Sequence, residues 1–347
     1  MRDQSVMDIK MLAKQLEVSI GTVSRALNDR KDVSPATRER VLAAAAEHGY
    51  SPNQFGRGLR RGRSGSIGFM LTLDHDSAVH GNPFFMALFE GIKAGLAASG
   101  MDLLVLLGRQ GENPLESLRR NVSRGVADAW LLSAAQHEDP RIDLLMTRGI
   151  PFVTLGRTGS LYNHAWIDVD FEQLVHDALS RFLSSGHRRI GLIAPPLTAH
   201  SSHVVVDSYH AELQAADLPF DETLVYHGTT DEPGGADAVG LFFDLDVPPT
   251  AILVMGETAP VGVYTALRAR GIEPGRDVAV IGQRDNPACR MLAPPLTCFS
   301  IPLEDIGQRM AAAILRALNP RPGQQPQLVQ KLWRMDVVAG ASDSRRV

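Results

Sequence analysis

Arg25 stands four residues after Gly21, and Ser24 four residues after Ile20. At helical spacing the four share one face. The Arg25 guanidinium is a rigid fork that can donate to O6 and N7 of one guanine. The Ile20 side chain suits a thymine methyl, and Gly21 lets a backbone come close without reading anything itself. Ser19 opens the segment, and Thr22, Ser24 and Asn28 add hydroxyls and an amide of the kind that holds phosphate oxygens, which sets register rather than sequence. The chemistry such a face offers is recognition in a groove of duplex DNA.

The other candidate clusters offer less. His200, His203 and His210 fall close together, and His75 and His80 flank a loop, but no acid or cysteine completes a metal-ligand spacing. Cys289 and Cys298 are the only two cysteines, and neither carries the signature of a nucleophile. P-loop, HExxH and G-x-S-x-G motifs are absent. The sequence therefore assigns no catalytic residue, no metal and no cofactor, and it predicts a protein that is not an enzyme. Two cysteines fit a reducing compartment. No run of about 18 apolar residues is present to span a membrane, and Met1 to Lys14 lacks the apolar stretch of a signal peptide, so a cytoplasmic location is expected.

The candidate face needs a scaffold, and the residues around it supply one. Asp8 can cap a helix whose apolar positions Ile9, Leu12, Ala13 and Leu16 fall on one side. A break at Glu17-Val18 follows. Ser19 can cap a second helix, Ile20 to about Asn28, with Val23, Ala26 and Leu27 inward. A third begins at Ser34 with Pro35 first, turns Val41, Leu42 and Ala45 inward, and stops at Gly49. Three short helices with a tight turn between the first two describe a helix-turn-helix domain. Charge agrees: residues 1–64 hold 12 Lys/Arg against 7 Asp/Glu, and the remainder 23 against 32. A basic head on an acidic body suits a polyanion at one end, although a solvated basic linker would carry the same charges.

The run from Asp8 to Asn53, with VSIGTVSRALN and VSPATRERVLAAAAEHGYSPN at its centre, resembles the head of the lac-repressor (LacI/GalR) family. One departure is Glu17, where the family often has Gly. The resemblance implies that the next segment, Asn53 to Arg63, is a hinge that becomes helical on operator DNA and wedges a leucine into the minor groove. Leu59 stands at the leucine position and Asn53 at the usual asparagine, while Arg57 lies between them. Gly56 replaces the usual Ala, and with Gly58 and Gly62 it makes a weak isolated helix, at roughly 1 kcal/mol per glycine against Ala.

From Ser66 short apolar runs alternate with helical stretches. Strands are expected at Ile67–Leu71, Leu103–Leu107, Trp130–Leu132 and Phe152–Leu155, then Ile190–Ile193, Leu224–Tyr226, Ala251–Val254 and Val278–Ile281. Helices are expected at Phe84–Ser99, Glu172–Ser184, Pro260–Arg270 and Glu304–Leu318, and Trp130 and Trp333 are expected in the core. Such alternation gives parallel sheets with helices on both faces, here in two doubly wound lobes around a cleft. The fold class is thus an all-α helix-turn-helix head with an α/β two-lobed sensor. The expected divisions are a head 1–51, a hinge 52–64 and a body 65–347. Within the body the N-lobe takes about 65–160 and 296–325, and the C-lobe about 161–295 and 326–340.

The body too resembles the family, whose sensor resembles sugar-binding periplasmic proteins. The matching runs include Asn82-Pro83-Phe84-Phe85, Gly149-Ile150-Pro151, Gly186-His187-Arg188-Arg189-Ile190, Pro249-Thr250-Ala251-Ile252, Val280-Ile281-Gly282 and Pro294-Pro295-Leu296-Thr297. The resemblance implies an effector pocket that includes Phe84 and Phe85, but its other marks are changed. Val205 stands where an Arg is common, Thr230 where an aromatic is frequent, Gly256-Glu257 in place of Asn-Asp, and Arg284 in place of an Asp. A buried Arg is costly unless paired. Arg284 therefore either pairs with Glu257 or Asp285, or meets an acidic or phosphorylated sugar-like effector.

The resemblance implies a transcription regulator acting as a homodimer on a two-fold operator in double-stranded DNA, with a sugar or sugar derivative as effector and no membrane partner. Repression is the expected mode. An activator or dual regulator would use the same parts, and a sugar-binding or enzymatic α/β protein with an incidental basic tail is the rival from another class.

Overall fold

The computed structural model describes residues 7–27, 30, 32–48, 50, 64–71, 83–109, 111–160, 162–320 and 328–344. They fall into two compact units, Met1–Gly65 and Ser66–Val347.

The first unit is built from helices α1 (Ile9–Gln15), α2 (Ile20–Leu27) and α3 (Pro35–Glu47). Their starts are set by side-chain caps. Asp8 accepts from the Met11 N–H, Ser19 from Thr22 and Ser34 from Thr37. Each cap satisfies a donor that the first helical turn leaves open. The α1–α2 turn passes through Glu17 at φ 55°, in the left-handed region that favours glycine. Leu12, Ala13, Val23, Ala26, Val33, Val41, Ala44 and Ala45 form the core. Leu42 was expected inside but is exposed, and Ala44 takes an inward place instead. Positions 41, 44 and 45 carry the buried stripe, and 42, turned roughly 100° from 41, falls just off its edge. The expected stop at Gly49 lies outside the described residues; helix α3 itself ends at Glu47.

The second unit contains two parallel sheets. In the first, β1 (Ser66–Leu71), β2 (Asp102–Leu107), β3 (Ala129–Leu132), β4 (Phe152–Leu155), β5 (Ala165–Val169) and β11 (Gln330–Trp333) lie in the order β11-β5-β4-β3-β1-β2. In the second, β6 (Ile190–Ile193), β7 (Val225–Tyr226), β8 (Ala251–Val254) and β9 (Ala279–Gly282) lie in the order β7-β6-β8-β9. A short antiparallel pair joins β10 (Cys298–Ser300) to β12 (Asp336–Val338). The helices are α4 (Pro83–Leu96), α5 (Pro114–Ser123), α6 (Pro140–Thr147), α7 (Phe171–Ser184), α8 (His200–Ala215), α9 (Glu232–Phe243), α10 (Ala259–Ala269), α11 (Pro287–Arg290) and α12 (Leu303–Leu318).

Strands β1, β3, β4, β6 and β8 are buried nearly throughout, as strands covered on both faces must be. The sequence placed most of them within a residue. Four expectations are corrected. Strands β5 and β11 pair with each other and with the first sheet, so the first lobe runs to Val169 and reclaims Gln330–Trp333, which had been placed in the second. Trp333 is half-buried beneath the Lys331 ammonium rather than in the core, whereas Trp130 is fully enclosed. Leu224 belongs to a 3-10 turn ahead of β7, and β9 starts one residue late.

The strand order reverses between β1 and β3 in the first sheet and between β6 and β8 in the second. Chain connections leave to opposite faces at these points and open a crevice at the strand carboxyl ends, where ligands bind in this architecture.

Candidate functional site

Two regions carry the candidate chemistry, one in each unit. On the head, Ile20 is 46 % exposed although it is a large apolar residue, and Gly21 is exposed beside it. The Ser19 and Thr22 hydroxyls lie 2.8 Å apart, so the cap also fixes their orientation. Arg25 folds back over the glycine: a Cβ at Gly21 would meet its Nη1 at 3.7 Å. Arg25 Nε faces Asp32 at 3.4 Å in a solvent-exposed pair, which restrains the guanidinium only weakly. Ser24 is half-buried. Ile20, Gly21, Thr22, Ser24 and Arg25 are thus brought together on helix α2, with Ser19 as its cap, as the sequence predicts. Asn28, Asn53, Gly56, Arg57 and Leu59 lie outside the described residues.

In the body, the residues read from the pocket resemblance divide. Thr230, Gly256, Glu257 and Arg284 come together at the carboxyl ends of the second sheet. Gly256 adopts φ 99° and lies so close to Thr230 that a Cβ would come within 2.3 Å of its carbonyl oxygen. Its N–H donates to Gln283 Oε1 at 2.7 Å. Arg284 is 7 % exposed and forms an ion pair with Glu257. The contact is one of charge, since Arg284 Nη2 makes no aligned hydrogen bond. Asp285 is taken by Arg290 at 2.5 Å, so of the two partners considered for Arg284 the structure selects Glu257. The guanidinium carbon also lies 4.7 Å from the ring centroid of Phe84, on the first lobe. Phe84 in turn meets Phe85 edge-on at 5.1 Å, and Phe85 packs toward Phe69 and Phe89.

Val205 does not join this group. It is fully buried in the second lobe's core with Leu174, Tyr209 and Leu253. An apolar residue has replaced the common Arg and has been absorbed into the packing of α8 on α7.

The lobes meet at two further places that the sequence reading did not single out. Arg157, just past β4, donates to both Glu172 oxygens at 3.0 and 2.9 Å, and to Asp168 at 2.8 Å. Glu172 opens α7, so this fork crosses from one lobe to the other. Burial alone would raise the Glu172 carboxyl, but the Arg157 hydrogen bonds, a backbone N–H and the nearby positive charge together outweigh it and hold it below its ordinary value. For the more buried Asp168, burial wins and the carboxyl is pushed up. The second contact joins the segment after β3 to the start of α8. The His137 N–H donates to the Thr198 carbonyl and the His200 N–H to the Ala135 carbonyl, at 3.0 and 3.1 Å. The imidazoles of His137 and His200 meet at 3.1 Å. Of the three histidines grouped by sequence, His210 instead packs against Phe220, while His75 and His80 lie outside the described residues.

No metal-holding group of three or more His, Cys, Asp or Glu occurs among the described residues. Cys289 and Cys298 are free and buried, and burial pushes their thiols up to about 11 and about 12, away from thiolate chemistry. Among the described residues no helix is long and apolar enough to cross a membrane.

Comparison with known proteins agrees with this division. The family described as bacterial regulatory proteins, lacI family, matches residues 8–53, and a periplasmic binding protein-like domain matches residues 179–341. The chain is 31 % identical over 346 residues to the HTH-type transcriptional regulator AglR of Rhizobium meliloti, covering 96 % of this chain and 94 % of that one. It is 29 % identical to the HTH-type transcriptional regulator CelR of Thermobifida fusca, covering 92 % and 94 %. The solved complex of the transcriptional regulator CelR with cellobiose superposes at a TM-score of 0.73, with 27 % identity over 97 % of this chain and 99 % of that one. A lac repressor dimer bound to operator and an anti-inducer gives a TM-score of 0.82 at 21 % identity over 98 % and 99 %, a likeness of fold.

Proposed function

Because the chain belongs to the lacI family of bacterial regulatory proteins and is a DNA-binding transcription regulator, we propose that it represses transcription as a cytoplasmic homodimer on a two-fold operator. Two heads need two-fold symmetry to fit two half-sites. Ile20 and Arg25 read base edges in the major groove, Gly21 lets the backbone approach them, and Ser19, Thr22, Ser24 and Asn28 hold the phosphates beside them. Residues 52–64 act as the hinge, with Leu59 as a minor-groove wedge and Asn53, Gly56 and Arg57 around it. The observation that carries this reading is the exposed Ile20–Gly21–Arg25 face on a capped helix within a matched regulatory head.

The cleft takes a small carbohydrate-like effector between Phe84 and Phe85 on one side and Thr230, Gly256, Glu257 and Arg284 on the other. A similar regulator binds cellobiose. Glu257 balances the Arg284 charge, which removes the argument for an acidic or phosphorylated effector and favours a neutral one. Val205, enclosed in the core, makes no contact with it. Effector binding changes how the lobes meet and thereby operator affinity, a coupling typically of about 1–3 kcal/mol.

Calorimetric titration of the purified chain with neutral disaccharides, beginning with cellobiose, and with sugar phosphates tests the cleft. Saturable binding of a neutral sugar, weakened by Arg284→Met, is expected. Tight binding of sugar phosphates alone would overturn the neutral reading.

A further inference from the structure

The contact between His137 and His200 has a chemistry that an effector pocket does not require. Their Nδ1 atoms face each other at 3.1 Å across the two lobes. Two imidazoles can share such a contact only when at least one nitrogen lacks a proton: one N–H then donates and the other nitrogen accepts. A third ring, His203, lies over His137 with centroids 4.0 Å apart, and its Nε2 is 3.1 Å from the Leu197 carbonyl. Around this cluster stand the Arg157 guanidinium from the first lobe and the Glu172 carboxylate at the head of α7. The carboxylate is occupied by both arms of Arg157, so it offers little compensation to a new positive charge. The backbone closes the same seam: Gln136 and Ala199 form an antiparallel bridge, flanked by the two inter-lobe N–H bonds of His137 and His200. Both segments lie at the carboxyl ends of β3 and β6, the strands at the two reversal points.

We propose that the His137–His200 contact, with His203 packed over it, is a proton-operated latch between the lobes, closed while the His200 imidazole is neutral and released when it takes up a proton from solvent. The proposal concerns closure itself, so it goes beyond the reading of the cleft as an effector site and holds whichever effector fills it.

The direction of the effect follows from His200. Burial first, then His137, Arg157 and His203, push it down to about 4, against a weaker opposing pull from Glu172. An imidazole released to water titrates near 6.5. The open form therefore binds more protons between those values, and the closed form loses ground as pH falls from about 6.5 toward 4. Neutral closure is fully present above that window. For a single site with these two values, the open-to-closed ratio rises about tenfold between pH 7.5 and pH 5.5. Partial exposure of the seam makes tenfold an upper figure.

Hydrogen exchange of the full chain reads the latch directly, because the His137 and His200 amides donate across the seam. Protection of peptides spanning residues 135–139 and 198–202, corrected for the intrinsic pH dependence of exchange, should fall severalfold and up to about tenfold from pH 7.5 to pH 5.5. Protection of β8, inside the second lobe, should not fall. In His200→Gln the pH response should vanish, since the amide carries no titrating group. Equal protection at the two pH values, or a fall shared by β8, would overturn the latch, as would an undiminished response in a folded His200→Gln chain. The wild-type comparison decides by itself if that variant does not fold. A cleft that binds no sugar yet shows the pH response would refute the effector reading and leave the latch standing.

Discussion

The guanidinium carbon of Arg284 lies 4.7 Å from the ring centroid of Phe84, so a cation of the second lobe rests on an aromatic ring of the first. Glu257 holds the same guanidinium from its own lobe. The arrangement ties charge balance within one lobe to packing between the two. A desolvated cation–π contact contributes on the order of 1–2 kcal/mol. Phe84→Ala should therefore loosen closure and weaken effector binding by up to about thirtyfold, with little change in the stability of the second lobe. Calorimetry and urea unfolding of the same variant separate the two effects. Unfolding at clearly lower urea with unchanged effector affinity would contradict the assignment.

Glu257→Gln leaves Arg284 nearly buried and without its counter-charge. Removing one partner of a buried pair is strongly destabilising, whereas replacing both by apolar groups of similar volume is often close to neutral. Glu257 is partly exposed, so the single change should cost about 1–3 kcal/mol rather than the full penalty. The double change Glu257→Gln with Arg284→Met should recover most of that loss. Denaturant midpoints of the three chains check it; an additive loss in the double variant would show that the pair does not act as a unit.

Glu17 occupies the left-handed region in the turn between α1 and α2. A non-glycine residue costs roughly 1–2 kcal/mol there. Glycine at this position also loses more chain entropy on folding, which offsets part of the gain. Glu17→Gly should raise the stability of the head by up to about 1 kcal/mol and leave operator preference unchanged, as thermal unfolding and a binding titration would show.

Arg25→Ala removes the guanidinium fork while leaving the cap and the inward face of α2 intact. Specific operator binding should weaken by roughly 1–3 kcal/mol, with relaxed preference at one base position per half-site. Site selection from randomised duplexes reads this directly. An unchanged preference would mean that Arg25 contacts only the backbone.

The parts that were legible in the sequence are those governed by local pattern. The caps Asp8, Ser19 and Ser34 and the buried strands at Phe152–Leu155 and Ala251–Val254 follow from residue type and run length. Strand β5 was not legible, because AWIDV places an aspartate within a short apolar run and its lobe is decided by pairing with β4 and β11. Leu42 failed for a related reason: a strong apolar residue one position off the buried stripe stays outside. The seam between His137 and His200 was invisible for a different reason. Sixty-three residues separate them, and only the packing of the two lobes brings the rings together. The changed pocket marks were legible as changes, but not their outcome. Nothing local says that Val205 joins a core or that Arg284 chooses Glu257 over the adjacent Asp285.

The central claim is that a DNA-reading head is controlled from the cleft of the body. Fluorescence anisotropy tests it most directly, using a selected two-fold operator duplex, a scrambled duplex, fixed salt, and a neutral sugar shown by calorimetry to bind. Without sugar, the operator should bind on the order of a thousandfold or more tighter than the scrambled duplex. The sugar should change operator affinity by about 5- to 150-fold. Equal affinity for the two duplexes, or an operator affinity that saturating sugar leaves untouched, would contradict it.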